Sequence, residues 1–328
     1  MSGGFDALTP QLVMGAAEQL FDLKLDGTIY PFSSYVNRVY GIRDLDENEY
    51  VIKFYRPGRW RAEAIAEEHE FVLECAEAEL PVVPPIPDAE GYTLQVAETD
   101  TEEYLCALYE KRGGRGFDAE GDEEWFRLGA LAGRVHQIGA AREAEHRLVC
   151  TPQESTSRFV AQLDELHVVH PECTSEFFET CEAGLELIEP LFSGVALQRI
   201  HGDFHRGNIL ERGEEGLLLI DFDDMMMGPV VQDLWLLLPD HLPEVRRQLV
   251  HLLDGYRQFR PFDESTLRLV EPLRFMRIIY YIAWSATQRG DQRFQADYPD
   301  WGGKAFWTRE IEDLKAQLQL IAQLLREV

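Results

Sequence analysis

The hydrophobic spacing of this chain changes character once, near "RGGRGF" (Arg112 to Phe117), and no other feature restricts the fold as much. Before that point apolar residues alternate. "SSYVNRVYGIRD" and "EYVIKFYRP" predict two strands around the turn-rich "DLDEN", and "YTLQVAET" with "EEYLCALYEK" predicts a second hairpin. Two helices accompany them: "TPQLVMGAAEQLF", with Thr9 as cap and Pro10 in the first turn, and "RAEAIAEEHEFVLECAEAEL". "LPVVPPIP" cannot continue a helix, because proline lacks the N–H and pushes its predecessor toward extended backbone. Beyond Asp118 the period becomes helical. "DEEWFRLGALAGRVHQIG" puts Trp125, Leu128, Leu131, Ala132 and Val135 on one face, and more helices are expected around 155–190, 243–260, 264–288 and 305–327. The expectation is an α+β chain with a small β-rich N-lobe (1–109) and a larger, mainly helical C-lobe (110–328), with a cleft suited to a ligand.

Several polar residues fall where a packed core has no use for them. "RIHGDFHRGNIL" carries Asp203 and Asn208 five residues apart, and the apolar "LLLI" runs directly into Asp221 of "DFD". Phosphoryl transfer needs charge neutralisation, a held nucleotide and an acceptor for the attacking hydroxyl's proton. The Asp203–Asn208 spacing matches the catalytic loop of protein kinases, in which the Asp is the base and the Asn reaches magnesium. Asp221 stands where "DFG" supplies a second metal ligand, and Mg²⁺ accepts such hard oxygen donors together with nucleotide phosphates.

Lys53 lies mid-strand in "YVIKFYR". Alternation places Val51, Lys53 and Tyr55 on one face and Ile52 and Phe54 on the other. A lysine in an apolar strand calls for anionic partners, here a phosphate and a carboxylate. Glu68 shares the face of Ile65 and Val72 on the following helix, whereas Glu67 points elsewhere, so Glu68 is the expected partner. No GxGxxG precedes Lys53. "PFSSYVNRVYG" takes its place, so a phosphate cover would rely on the Ser33 or Ser34 hydroxyl and turn N–H groups.

Together these residues resemble the aminoglycoside phosphotransferase and choline-kinase-like branch of the protein-kinase fold, whose loop is HGDxxxxN. Within it, "SSYVNRVY", "VIKFYRPGRW", "EEHEF", "GGRGF", "HGDFHRGNIL", "GPVVQDLWLLL" and "EPLRFMRIIYYIAW" are most similar to the stress response kinase A family of bacterial serine/threonine protein kinases. The resemblance implies a bilobal protein-kinase-like fold. It implies Asp203 as catalytic base, Asn208 and Asp221 as magnesium ligands, Lys53 on the α/β-phosphates oriented by Glu68, and Ser34 touching ATP. It also implies adenine binding by the backbone of 108–111, and Asp233 as a brace of the catalytic loop. Gly202 replaces the Arg of HRD, which removes the usual partner of a phosphorylated activation loop. His205 stands two residues after the base, where a Lys near the γ-phosphate is usual, and a neutral His would make charge stabilisation there weaker or pH-dependent. His136 and His201 are expected to be packed structural residues.

The formal charge of −28, from 59 acidic and 31 basic residues, opposes binding to nucleic acid or an anionic membrane. Five cysteines with no CxxC pair suit a reducing cytoplasm, and the N-terminus shows no secretory pattern. The expected activity is ATP- and Mg²⁺-dependent phosphorylation of protein Ser or Thr hydroxyls, autophosphorylation included, by a monomer in a stress response. One competing expectation is a small-molecule hydroxyl kinase of the aminoglycoside, choline or homoserine type, in which Asp223 and Asp224 bind an amine. The other is a pseudokinase-like binding module.

Overall fold

The computed structural model describes residues 4–5, 7–34, 36–99 and 102–327. Tyr35, inside the expected cover segment, lies outside them. The chain packs as two compact units: Met1–Asp118 with Ala144–Arg147 and His205–Asp224, and Ala119–Glu143 with Leu148–Phe204 and Met225–Val328. Its elements run α1 (Pro10–Leu20), β1 (Leu25–Pro31), β2 (Arg38–Asp44), β3 (Glu49–Phe54), α2 (Ala62–Glu77), β4 (Gln95–Glu98), β5 (Glu103–Glu110) and β6 (Arg115–Gly116). There follow α3 (Asp122–Gly139), α4 (Ser157–Glu165), α5 (Thr174–Ile188), β7 (Gln198–Ile200), β8 (Ile209–Glu211), β9 (Leu217–Leu219) and β10 (Met226–Gly228). Last come α6 (Val231–Leu237), α7 (Arg246–Tyr256), α8 (Val270–Gln288), α9 (Gln292–Asp297) and α10 (Lys304–Glu327). The fold is α+β.

The first unit is built on an antiparallel sheet of order β1-β2-β3-β5-β4. Alternation along β3 assigns its faces. Ile52 and Phe54 join Ile42, Tyr104, Cys106 and Leu108 in one core with Val13, Ala16 and Ala17 of α1. Tyr55 packs on the other face with Ile65 of α2 and Ala107. Thr9 caps α1 as expected, its hydroxyl accepting from the Leu12 N–H at 3.2 Å. The β2–β3 turn is held by Asp44, whose carboxylate accepts from the N–H groups of Asp46 (2.9 Å) and Asn48 (2.8 Å). The proline segment is extended: Leu219 N–H donates to Pro81 C=O at 2.8 Å, and Ile86 N–H to Leu108 C=O at 2.7 Å. It thereby ties the main sheet to the small sheet β6-β8-β9.

The second unit is mainly helical. α8 runs through its core, where Leu273, Met276, Ile279 and Ile282 pack with Phe177 of α5 and Trp307 of α10. Helices α3 and α7 meet backbone to backbone. A Cβ at Gly129 would lie 1.8 Å from the Leu252 carbonyl oxygen, and one at Gly255 would lie 1.9 Å from that of Phe126. Only glycine at both positions permits this approach. The short strands β7 and β10 pair antiparallel, Ile200 opposite Met226, and deliver the chain into the segment that begins at His201.

Candidate active site

In the first unit the face of β3 opposite the α1 core carries Lys53, as alternation requires, and its ammonium meets three carboxylates. The Lys53 Nζ donates to Asp223 Oδ1, with Asp221 at 3.8 Å and Glu68 at 3.9 Å. Glu68 is buried on α2, whereas Glu67 turns away and accepts from the backbone N–H groups of Glu145 (2.7 Å) and His146 (2.9 Å). Asp223 also accepts from Asn37 Nδ2 and lies 3.7 Å from Arg59, which holds Asp224 at 2.6 Å. Arg147 closes the cluster. Its guanidinium stacks 4.0 Å over Trp60, lies 3.7 Å from Glu68, and donates to the Ala64 and Asp223 carbonyls.

Burial and charge pull against each other in this cluster. Burial would push the Lys53 ammonium down, but Asp223 and Glu68 outweigh it and hold its pKa well above the ordinary lysine value. Burial raises Asp223, yet Lys53 and Arg59 hold it below the usual carboxylate value. Glu68 has the weaker cationic contacts, so burial wins there and pushes it up to about 7. Beside it, burial and then the Lys53 charge push His69 down to about 3, and its neutral ring is fixed by the Tyr55 hydroxyl and Thr93 Oγ1, each at 2.8 Å.

Asn208 and Asp221 are brought together by a hairpin. β8 pairs β9 with Ile209 opposite Leu219, and the ladder continues as Ile220 N–H donates to Asn208 C=O at 3.0 Å. The turn lies at one end, so the residues just outside the pair, Asn208 and Asp221, share the other. Asp221 is half exposed with φ +64°, a left-handed conformation that Asp tolerates better than most residues and that departs from the strand path. One amide and one carboxylate at a hairpin end fit a magnesium ion whose remaining ligands are phosphate oxygens and waters. The His205 ring lies over Gly207, where a Cβ would come within 2.8 Å of it. Ser34 Oγ accepts from Asn37 N–H at 3.3 Å, which places the Ser34 hydroxyl beside the residue that holds Asp223.

In the second unit the segment after β7 is held by burial and hydrogen bonds along His201–Phe204. His201 and Phe204 are fully buried and meet edge-on at 5.4 Å, leaving Asp203 between them with its side chain 18% exposed. Asp233, also fully buried, accepts from the His201 and Gly202 N–H groups at 2.8 Å each and bonds His136 Nε2 at 2.9 Å. Gly202 has φ +82°, where any side chain would be strained, and this accounts for glycine in place of arginine. The Asp203 carboxylate takes a 2.5 Å bond from Arg277 Nη2 on α8.

The model of the phosphotransferase enzyme family matches residues 28–269. Stress response kinase A of Escherichia coli K12 is 33% identical over 325 residues, spanning 97% of this chain and 95% of the relative. The chain belongs to the stress response kinase A family. A second relative in this family, from Salmonella typhimurium, is described as "Serine/threonine protein kinase RdoA" and is also 33% identical, across 97% of the chain and 94% of its own length. The fold is shared with an amicoumacin kinase, hAmiN, solved with AMP-PNP, Ca²⁺ and Ami (TM-score 0.75, 19% identity, 94% of this chain and 93% of that one). It is also shared with a microcompartment-associated aminopropanol kinase (TM-score 0.69, 16% identity, 96% and 97%).

In this member of the stress response kinase A family, four cluster residues and one partner of Asp203 escape sequence reasoning. Arg147 gives no period or motif signal, Asn37 and Arg59 lie within "SSYVNRVY" and "VIKFYRPGRW" without being singled out, and Asp223 enters only as a candidate amine binder although it is the nearest anion to Lys53. Arg277 lies 74 residues from Asp203 on an apolar helix. The available signal was a pair of arginines, Arg274 and Arg277, in the otherwise mostly apolar "EPLRFMRIIYYIAW", with nothing to single out the second.

Proposed function

We propose that the chain transfers the γ-phosphoryl group of ATP, with magnesium, to serine or threonine hydroxyls of proteins, its own among them, as a monomer in a cytoplasmic stress response. In this reading Lys53 holds the α- and β-phosphates, and Glu68 and Asp223 keep its ammonium charged and placed. Asn208 and Asp221 would hold the metal, which when bound supplies positive charge to the phosphate oxygens. Ser34 and neighbouring turn N–H groups cover the phosphates, and the backbone of 108–111 binds adenine. Asp203 accepts the proton of the acceptor hydroxyl as the hydroxyl oxygen bonds to phosphorus, the bond from phosphorus to the β–γ bridging oxygen breaks, and ADP leaves. Asp233 holds the Asp203 loop, and His205 adds a polar group near the transferred phosphoryl.

The observation that carries the protein-acceptor reading is the engagement of Asp223 and Asp224. An amine-binding pocket would need them, yet Lys53, Asn37 and Arg59 already hold both carboxylates. The name of the Salmonella relative agrees with it. All five cysteines are buried thiols outside any disulfide, which suits a reducing compartment, and no described helix is long and apolar enough to cross a membrane. Incubation with γ-labelled ATP tests the proposal. Label on the chain itself or on casein, absent with Asp203→Ala, is the expected result. Label found only on small hydroxyl compounds overturns it.

A further inference from the structure

Arg277 connects Asp203 to a pocket that nothing above uses. Its Nη2 donates to Asp203 Oδ1 at 2.5 Å, its guanidinium carbon sits 4.9 Å above the Tyr280 ring, and Tyr280 in turn meets Phe159 edge-on at 5.3 Å. The same arginine lines a pocket with Cys150, Ser155, Thr156, Met226 and Gln232, and no carboxylate belongs to its lining. Methionine and aromatic surface, two hydroxyls, an amide and one cation thus surround the approach to this arginine. In a chain of net charge −28 this wall is an exception.

We infer that Arg277 is a positioning and specificity residue that selects acceptor hydroxyls with neutral or anionic neighbours over those beside an ammonium. The inference rests on Asp203 being the base. Two physical effects act together. A guanidinium bound to one carboxylate oxygen fixes the plane of the base, as a third group orients the base in other transfer sites. Asp203 already takes a bond from this guanidinium and the pocket lining adds no second carboxylate, so an ammonium beside the acceptor oxygen meets no carboxylate other than the one Arg277 holds, whereas a carboxylate there meets a guanidinium. An aminoglycoside- or choline-type acceptor is therefore disfavoured for a reason independent of Asp223 and Asp224.

The experiment compares three peptides, each with a single serine flanked on both sides by Glu, Gln or Lys, together with 3-hydroxypropionate and 3-aminopropanol. For the wild-type chain the expected kcat/KM on the Lys peptide is about tenfold or more below that on the Glu and Gln peptides, one decade being a modest discrimination for a charge contrast. Arg277→Gln should bring the three within about twofold and lower kcat on the Gln peptide without changing KM for Mg·ATP, and Arg277→Lys should restore most of the ranking. A wild-type chain that takes the Lys peptide as well as the others, or an Arg277→Gln chain that keeps the ranking, overturns the inference. The wild-type ranking decides even if Arg277→Gln does not fold. If no peptide is labelled but a small alcohol is, the protein-acceptor reading fails, and preference for hydroxypropionate over aminopropanol still supports the role of Arg277. Preference for aminopropanol, or transfer to none of the five, overturns both.

Discussion

The Lys53 ammonium is bonded to the Asp223 carboxylate, the third residue of the "DFD" segment, and lies nearer to it than to Asp221 or Glu68. Both groups are buried, and Arg59 and Asn37 share the same carboxylate. Removing Asp223 leaves two cations short of an anion in a poorly solvated place. Asp223→Ala is expected to lose about 3–5 kcal/mol of unfolding free energy, the usual result of deleting one partner of a buried pair. Urea unfolding of both proteins measures it.

Glu68 gives a pH signature of definite sign. Its folded pKa is about 7 against 4.5 for an ordinary glutamate, so between those values the folded chain binds more protons than the unfolded one. Its contribution to stability therefore declines as pH rises through that window. His69, pushed down to about 3, contributes the opposite slope below about pH 6.5. The test is accordingly a difference. The stability of Glu68→Gln relative to wild type should rise between pH 5 and 7.5, as followed by urea midpoints.

Asp233 is expected to act on the rate through the loop it holds. Two backbone N–H groups and His136 bond its carboxylate in a fully buried site, and the carboxamide of Asp233→Asn must turn its NH₂ toward one of these groups. A loss of about 1–3 kcal/mol in stability should accompany a fall in kcat, with KM for Mg·ATP little changed. Thermal melts and steady-state kinetics measure the two effects separately. A normal kcat in a destabilised variant assigns Asp233 to stability alone.

The parts of this protein legible in its sequence are those set by local period. Ile52 and Phe54 against Lys53 and Tyr55, Glu68 against Glu67, the Thr9 cap and the long helices all follow from residues a few positions apart. β1 did not follow. "LDGTIYP" is an edge strand with Gly27, Pro31 and an irregular register, and it depends on β2 for its definition. β7 and β10 span three residues each and exist only as a pair. The choice of ion-pair partner was equally hidden. Asp221, Asp223 and Asp224 differ little as sequence, and the backbone turn at Asp221, with its positive φ, puts Asp223 against Lys53 while leaving Asp221 half exposed.

Phosphoryl transfer by this chain depends most on Asp203 taking the acceptor proton, and the transfer rate of Asp203→Asn, measured beside its affinity for Mg·ATP, is the decisive quantity. The expected result is a transfer rate lower by about 10²–10⁴, the span of a lost general base, with nucleotide affinity within about twofold of wild type. A folded Asp203→Asn chain that still transfers phosphate at close to the wild-type rate would contradict it.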